Sequence, residues 1–226
     1  MFHPVGRPLE RGWVGRVDGD RVLQLAAQTL QSFFTGGGTA RVHAEYPLSD
    51  VVLLAPVLHP PSVRLFDDQS TFAFANPAAV IGTSAEIACN DQSQALVLAS
   101  RIAGLVGAEG RLVAMTILAE WRDPTRPPPK DRDFALGVGP VATTTDVFDP
   151  VTCVHVVSVD GVERHRVSAP PVFDWEAARA LAARGTKLYA GDLLAGPACG
   201  SVEVAQGSVV EIEVDGIGVL EQRLGG

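Results

Sequence analysis

The chain of 226 residues is poor in the features that mark disulfide-rich, zinc-binding and membrane-spanning proteins. Its three cysteines, Cys89, Cys153 and Cys199, are widely spaced and include no C-x-x-C pair, so neither a disulfide framework nor a zinc site is expected. The longest apolar run, residues 51–58, is far shorter than the roughly 20 residues that a membrane-spanning helix needs. The N-terminus also lacks the apolar stretch of a signal peptide. We therefore expect a cytoplasmic protein with no membrane partner, whose cysteines are small buried side chains.

Positive charge is also scarce, and it is not clustered. The chain has 18 Lys and Arg against 26 Asp and Glu, which gives a formal net charge of −8. Proteins that bind nucleic acid contact its phosphates through a basic patch, so we do not expect a nucleic-acid partner. A small anion could still bind where a few cations converge in one pocket.

Motifs for the common catalytic chemistries are absent as well. The sequence contains no G-x-S-x-G, no H-E-x-x-H, no EF-hand loop and no dinucleotide-binding fingerprint. The glycines at 36–38 follow no strand and precede no Lys-Ser or Lys-Thr pair, so they indicate a linker rather than a phosphate-binding loop. His155 and His165 flank one predicted hairpin and could face each other across it. No third ligand accompanies them, so solvated or hydrogen-bonded histidines are favoured over a metal pair.

Apolar residues, glycine and proline are abundant. The chain is 46% apolar, with 23 Gly and 16 Pro, which indicates a substantial core built from short strands and many turns. Apolar residues alternate with polar ones on both sides of Gly19, Asp160-Gly161 and Asp215-Gly216, which predicts three β-hairpins.

Helical patterns are few. Over residues 21–34, apolar side chains recur at three- and four-residue steps, which predicts a helix ended by the glycines at 36–38. A second helix is predicted within residues 173–185, where Asp174 suits the N-cap and Gly185 suits the C-terminal end.

Between these two helices, residues 90–100 and 111–121 predict strands, with a short helix or loop over 102–110. The sum is an α+β, mostly β fold with a few short helices, rather than a parallel doubly wound sheet. We expect residues 1–50 to form a small N-terminal hairpin-helix unit and residues 51–226 to form one larger domain.

The predicted strand at 90–100, NDQSQALVLAS, begins with two neutral amides, Gln92 and Gln94. Side chains two residues apart in a strand point to the same face. A hard divalent cation at this place would call for carboxylates instead. The plain alternative is that both glutamines are surface residues of an edge strand.

Seven segments follow one another in a recognisable order: GWVGRVDGDRVLQL, LLAPVLHPPSVRLF, FANPAAVIG, KDRDFALGVGP, VSVDGVERHR, LYAGDLLAG and GSVVEIEVDGIGVLEQRL. In this order they resemble the fumarylacetoacetate hydrolase family over nearly the whole chain. The resemblance implies a mixed β-roll or sandwich, often dimeric, that hydrolyses, decarboxylates, hydrates or isomerises small oxo acids and 1,3-diketo acids. It also implies a Mg²⁺, Mn²⁺ or Ca²⁺ ion that chelates the substrate and stabilises an enolate. The family holds this ion with a Glu-x-Glu pair, an Asp on the next strand and an earlier Asp, joined in some members by a His.

This chain departs from the family at those positions. The Glu-x-Glu pair aligns with Gln92 and Gln94, and the Asp of the next strand aligns with Leu118. The earlier Asp falls near Leu65 and the His near Phe72. Three formal negative charges thus become two amides and a leucine, and dehydrating Mg²⁺ without carboxylates is unfavourable. We therefore expect a degenerate metal site and no metal cofactor.

Other positions implied by the resemblance keep polar or charged side chains. Lys130 matches a family lysine and could pair with a substrate carboxylate, although a loop lysine can also be merely solvated. Glu120, two residues past Leu118, is expected to share its face and could be a relocated carboxylate. The candidate catalytic residues are Lys130 and Glu120, and the candidate substrate-binding residues are Gln92, Gln94, Leu118, Lys130 and Ala198, the last aligned with the family's substrate-binding Thr.

Three functions remain open from the sequence. The first is a metal-independent enzyme that acts as a homodimer and isomerises, cyclises or decarboxylates a small oxo- or 1,3-diketo acid. The second is a non-catalytic subunit that pairs with an active paralogue, which a pocket filled by Leu65, Phe72 and Leu118 would favour. The third is an ordinary metal-dependent hydrolase whose ligands lie elsewhere in the chain.

Overall fold

A computed structural model describes residues 1–9, 11–89, 94–168 and 172–225. Strands make up 48% of the structure and helices 11%, which confirms the predicted mostly β, α+β fold. The described α-helices are α1 (Leu30–Phe34) and α2 (Trp175–Ala183). The described strands, numbered in chain order, are β1 (Phe2–Pro4), β2 (Gly15–Asp18), β3 (Arg21–Ala26), β4 (Thr39–Pro47), β5 (Val51–Leu53), β6 (Val63–Phe66), β7 (Phe72–Ala75), β8 (Val80–Ile81), β9 (Ala85–Ile87), β10 (Ala95–Val106), β11 (Leu112–Arg122), β12 (Leu136–Thr144), β13 (His155–Val159), β14 (Val162–Val167), β15 (Leu193–Ala195), β16 (Gly200–Ala205), β17 (Val209–Val214) and β18 (Gly218–Leu224).

Most of these strands belong to two large sheets. The first has eight strands in the order β7-β6-β15-β10-β11-β12-β8, with β16 also paired to β10. The second has five strands in the order β14-β13-β17-β18-β9. Near the N-terminus, β2, β3 and β4 form a three-stranded sheet, and β1 pairs with β5.

The long strands β10 and β11 have an apolar core on each face. On one face, Leu98 and Ile102 of β10 and Ile117 and Trp121 of β11 pack against the five-stranded sheet. The opposite face contributes Leu105 and Leu118, among others, to a second core. Successive side chains of a strand alternate between faces, so this second face is also the one that carries Arg101 and Glu120.

A third core fixes α2 against the edge of the eight-stranded sheet. Ala178 and Ala182 of this helix pack with Phe66, Phe173 and Leu188. The two alanines let the helix approach closely because their side chains are small. None of the helices in the described ranges is long and apolar enough to cross a membrane.

The three predicted hairpins are confirmed. Strands β2 and β3 pair antiparallel, β13 and β14 join through Asp160-Gly161, and β17 and β18 flank Asp215-Gly216. The second predicted helix is also confirmed, since the side chain of Asp174 accepts a hydrogen bond from the backbone N–H of Ala177 at 2.9 Å.

The helix predicted over residues 21–34 is wrong in its first half. Residues 21–26 form β3, which is paired on both sides by β2 and β4. The helix begins only after Thr29, whose hydroxyl accepts a hydrogen bond from the backbone N–H of Ser32. Pairing with two neighbouring strands satisfies the backbone of residues 21–26, and this outweighs the helical spacing of their apolar side chains.

The short helix or loop predicted over 102–110 is also largely wrong. Strand β10 continues to Val106 because residues 103–105 pair with β11 on one side and with β15 on the other. Only Ala108–Gly110 form a short 3-10 turn. The strand predicted over 90–100 is described from Ala95 onward, and residues 90–93 lie outside the described ranges.

Contacts cross the domain boundary that the sequence predicted at residue 50. Strand β1, before the boundary, pairs with β5, after it, so Phe2 lies opposite Leu53. Leu30 and Phe34 of α1 pack against the second core. The N-terminal unit is therefore packed onto the eight-stranded sheet, and its status as a separate domain stays a prediction.

Candidate functional site

Six charged side chains converge where β10 and β11 meet the loop that follows β11 and the turn that follows β6. We call this group the arginine-carboxylate cluster. Its members are Asp67, Arg101, Glu120, Arg122, Asp131 and Arg132. The register of the sheet places Arg101 opposite Leu118 and places Ala99 opposite Glu120.

Glu120 is the buried centre of the cluster, with no exposed surface. Its Oε2 accepts hydrogen bonds from Arg101, with Nε at 3.0 Å and Nη2 at 2.9 Å. Its Oε1 lies 2.7 Å from both Nε and Nη2 of Arg122 and 3.9 Å from Nη1 of Arg132. A buried carboxylate is tolerated only when it is paired and hydrogen-bonded in this way.

Arg101 is nearly as buried as Glu120, with 2% of its side chain exposed. Its Nη1 donates to the carbonyl oxygens of Phe66 at 2.9 Å and Gly196 at 3.0 Å. Its Nη2 donates to Oδ1 of Asp67 at 2.8 Å. The guanidinium is thus held by β11, by the end of β6 and by the segment after β15.

Asp131 and Arg132 form the outer part of the cluster. Arg132 donates from Nε and Nη2 to Oδ2 of Asp131, at 3.0 and 2.7 Å. This hydrogen bond lowers the pKa of Asp131, helped by the positive charges of Arg132 and Arg122, and it raises the pKa of Arg132. The carbonyl oxygen of Asp131 also accepts the backbone N–H of Asp123 at 2.7 Å, which fixes the loop to the end of β11.

The predicted site residues that the structure describes differ in their contacts, and several of them are exposed. Gln92 lies outside the described residues, and Gln94 is exposed just before β10. Lys130 has 67% of its side chain exposed, and its Nζ lies 2.6 Å from Oδ2 of Asp133. Ala198 is exposed in the segment between β15 and β16. Their roles stay predictions.

The apolar positions aligned with the family's metal ligands are mostly part of the core. Leu118 has no exposed surface, and Leu65 is 5% exposed in the same cluster of side chains. Phe72 is half-buried and packs on Phe66, with ring centroids 5.2 Å apart. Apolar contacts therefore surround Leu65 and Leu118, and neither side chain offers an oxygen ligand.

A cleft of about 520 Å³ opens beside the cluster. Its lining is Asp67, Asp68, Gln69, Val172, Phe173, Pro197 and Ala198. The cleft contains the predicted substrate-binding residue Ala198 and the exposed partner of Arg101. A second cleft, of about 460 Å³, lies between α1, the N-terminal strands and β12, and its walls are mostly apolar.

The described residues do not fit a divalent metal site. In residues 1–9, 11–89, 94–168 and 172–225, no group of three or more His, Cys, Asp or Glu side chains is placed to hold a metal ion. Glu120, the buried carboxylate two residues past Leu118, already has both oxygens paired with arginines. Mg²⁺, Mn²⁺ and Ca²⁺ need several oxygen ligands, mainly carboxylates, and a cation here would also meet positive charge.

Sequence reasoning missed the arginines of the cluster. One signal was available, because Arg101 interrupts the apolar run ALVLASRIAGLV. A charged residue within a buried strand needs a partner on the same face. Its two carboxylate partners, Asp67 and Glu120, come from other parts of the chain.

One buried histidine and two buried cysteines are not members of the cluster, although Cys199 lies close enough to Arg101 for its positive charge to act on the thiol. His155 is fully buried, its ring nitrogens have no hydrogen-bond partner in the described structure, and burial lowers its pKa to about 4. His155 lies opposite Val167 in the hairpin, and His165 lies opposite Val157. The two histidines that could have faced each other are therefore not directly opposite. Burial raises the pKa of Cys153 and of Cys199 to about 11, which leaves both thiols protonated at neutral pH.

Comparison with known proteins agrees with this fold. The C-terminal domain of fumarylacetoacetate hydrolase, as a sequence family, matches residues 58–225. A maleylpyruvate hydrolase from Sphingobium sp. SYK-6 is 21% identical, with a TM-score of 0.76 over 96% of this chain and 97% of that chain. The fumarylacetoacetate hydrolase from Exiguobacterium antarcticum is 21% identical, with a TM-score of 0.80 over 96% of each chain.

A 5-carboxymethyl-2-hydroxymuconate delta-isomerase from Mycobacterium smegmatis is 19% identical, with a TM-score of 0.77 over 94% of each chain. Identities this low show the shared fold alone. A search of curated proteins found no match.

Proposed function

Because the chain belongs to the fumarylacetoacetate hydrolase family, we propose that it binds and transforms a small oxo- or 1,3-diketo acid in a pocket that works without a divalent cation. Solved relatives of the same fold include a maleylpyruvate hydrolase and a 5-carboxymethyl-2-hydroxymuconate delta-isomerase. The proposed reaction classes are isomerisation, cyclisation and decarboxylation. Each of them can proceed through an enol or enolate that hydrogen bonds and positive side chains stabilise.

The pairing of Glu120 carries this proposal. In a metal site, a buried carboxylate leaves its oxygens free for the ion. Here Arg101 and Arg122 take both oxygens at 2.7 to 3.0 Å. Positive charge at this position is therefore built into the chain as guanidinium groups, which are well suited to bind carboxylates.

The burial of each cluster residue determines whether it can contact a ligand. Arg122 and Arg132 each have 34% of the side chain exposed, so a ligand could contact them directly. Glu120 is fully buried and paired, so we assign it a positioning role that holds the arginines rather than a direct role in proton transfer. Gln92 and Gln94 would orient an enol through their amides, as predicted from the sequence.

Lys130 keeps its proposed role as the amine that meets the substrate carboxylate or polarises a carbonyl. To do so, it must exchange its partner Asp133 for the ligand. This pair is exposed on the lysine side, and exposed ion pairs contribute little to stability. Breaking the pair between Lys130 and Asp133 therefore costs little free energy.

Proton exchange in D₂O tests the proposed chemistry on a panel of candidate acids. Small 2-oxo and 1,3-diketo acids would be incubated with the protein, and ¹H NMR would follow the loss of their α-proton signals. We expect faster exchange than without protein, and the same rate in EDTA as in Mn²⁺. Exchange that occurs only with Mn²⁺ would contradict the metal-free pocket.

The two lysines of the chain provide a matched pair of variants for this assay. Lys130→Met should slow the exchange, whereas Lys187→Met should not, because Lys187 lies against the ring of Tyr189 in a different part of the fold. Equal rates for both variants would remove Lys130 from the proposed mechanism.

A second candidate function is a non-catalytic subunit that pairs with an active paralogue. The burial of Leu65 and Leu118 in one core favours it, since apolar side chains there leave less room for a substrate. This alternative predicts no binding of oxo acids in either EDTA or Mn²⁺. It also predicts a hetero-oligomer when the two proteins are expressed together, which native mass spectrometry would distinguish from the homodimer that the enzyme proposal expects.

A further inference from the structure

The geometry points to a specific place and mode of ligand binding. We propose that the carboxylate of a small oxo acid binds Arg101 in the cleft beside the cluster, and that it does so by displacing the side chain of Asp67. This inference rests on the proposed function and adds the residue that the ligand replaces. Asp67 thus acts as an internal carboxylate that occupies the site when no ligand is bound.

Arg101 lies directly behind the wall of the cleft. Its Nη1 is bound to the carbonyl oxygens of Phe66 and Gly196. The residues that follow these two in the chain, Asp67 and Pro197, line the cleft. The guanidinium is therefore separated from the cleft by the Asp67 carboxylate, which lies 2.8 Å from Nη2.

The two carboxylates that pair with Arg101 differ sharply in burial. Glu120 has no exposed side-chain surface, whereas the side chain of Asp67 is 77% exposed. An ion pair with an exposed partner is weakened by solvent and by salt. Asp67 is therefore the partner that can leave at low cost, while Glu120 keeps the guanidinium in place.

Asp67 is also held by little else. In the described part of the chain, its carboxylate has no hydrogen-bond donor other than Arg101. Its neighbour Asp68 is different, because it accepts hydrogen bonds from the backbone and hydroxyl of Ser70 and from the backbone of Thr71. These bonds lower the pKa of Asp68 and hold its side chain in the turn.

The cleft suits a small acid with an apolar body. A ligand carboxylate can take over the one N–H of Nη2 that Asp67 holds, as a charge-assisted hydrogen bond. The other four N–H groups of Arg101 stay with Glu120, Phe66 and Gly196. Phe173, Pro197 and Ala198 provide apolar surface next to it. The family resemblance assigns Ala198 to substrate binding. A ligand bound in this cleft would contact Ala198, which lines it.

Two neutralising substitutions test the exchange. Asp67→Asn and Asp68→Asn each remove one negative charge from the rim of the cleft. Any difference in ligand affinity between the two variants therefore reports on the pair of Asp67 with Arg101.

Calorimetric titrations in EDTA would use pyruvate and oxalate as carboxylate probes and pyruvamide as the neutral probe. Pyruvate and oxalate should bind Asp67→Asn about two- to fivefold more tightly than wild type, because the competing internal carboxylate is gone. Asp68→Asn should bind them more tightly by a clearly smaller factor than Asp67→Asn, because Asp68 is bonded to Ser70 and Thr71 within the turn rather than to Arg101. Pyruvamide should not distinguish the variants.

An equal gain in both variants would indicate a general charge effect and would overturn the proposal. Weaker binding to Asp67→Asn would also overturn it, because Asp67 would then be part of the binding surface. A third variant, Ala198→Leu, narrows the cleft and should weaken binding of the carboxylates without changing the melting temperature.

The same titrations, repeated in Mn²⁺, separate this proposal from the proposed function. If wild type binds the carboxylates only with Mn²⁺, the metal-free pocket is wrong. If wild type binds them in EDTA and Asp67→Asn makes no difference, only the displacement of Asp67 is wrong. If neither wild type nor Asp67→Asn binds them in EDTA or in Mn²⁺, both are wrong.

Discussion

Replacing Glu120 by Gln removes the charge at the centre of the arginine-carboxylate cluster and changes the side-chain volume little. Arg101 is 2% exposed and is not able to recruit solvent. Its other carboxylate partner, Asp67, is mostly exposed and compensates poorly. The new amide also places an NH₂ group against guanidinium donors that need an acceptor. Removing one member of a buried pair in this way costs roughly 3–5 kcal/mol of the free energy of unfolding.

The cost should come mainly from Arg101. Arg122 and Arg132 each have 34% of the side chain exposed, so water can replace part of what they lose. Arg101 keeps its carbonyl partners Phe66 and Gly196 but loses the only buried anion that it contacts among the described residues. A loss of this size is a large fraction of the roughly 5–15 kcal/mol that stabilises a typical domain.

Urea denaturation at neutral pH measures this change, with Glu163→Gln as the control. Glu163 also pairs with an arginine, Arg166, but both side chains are about half exposed, so this variant should unfold at nearly the wild-type urea concentration. If Glu120→Gln were as stable as Glu163→Gln, with an unchanged dependence on urea, the buried cluster described here would not exist in solution.

Two other variants give predictions of different kinds. Because burial lowers the pKa of His155 to about 4, the unfolded state binds more protons between about pH 4 and pH 6.5, and wild type should lose about 2 kcal/mol from this group between pH 7.5 and pH 5. His155→Leu should lack that part of the loss, and parallel pH profiles for the two proteins would refute the assignment. The double variant Gln92→Glu with Gln94→Glu should not gain Mn²⁺ binding in titrations, because Leu118 still provides no carboxylate; recovery of binding would place a further ligand elsewhere.

Local signals in the sequence predicted the hairpins and the second helix. Asp160-Gly161 and Asp215-Gly216 adopt turns that few other residues tolerate, so a few neighbouring residues decide the structure. Asp174 caps α2 through its own side chain for the same reason. Such elements depend on the chain within a few positions, which a sequence displays directly.

The errors arose where distant strands decide the structure. Residues 21–26 carry a helical spacing of apolar residues, yet β2 and β4 provide hydrogen-bond partners on both sides. Residues 103–105 continue β10 because residues 193–195 of β15, far along the chain, pair with them. Neither partner can be identified from the local pattern.

The candidate site was predicted only in part for the same reason. The two amides at positions 92 and 94, the leucine at 118 and the shared face of Leu118 and Glu120 are visible in the sequence. The sequence does not show that Asp67, Arg101 and Glu120, which come from three separate segments, lie together in the fold. The charged side chains of one cluster can come from any part of the chain that the fold brings near.

Metal analysis tests the central claim most directly, namely that guanidinium groups stand where the family resemblance implies a divalent cation. Protein purified without chelators would be analysed by inductively coupled plasma mass spectrometry, and its melting temperature would be measured in Mg²⁺, Mn²⁺ and EDTA. A cation present at 100 times its Kd would stabilise the folded state by about 2.7 kcal/mol. We predict no stoichiometric metal and the same melting temperature in all three conditions. One bound Mg²⁺, Mn²⁺ or Ca²⁺ per chain, with a melting temperature that falls in EDTA, would contradict the claim.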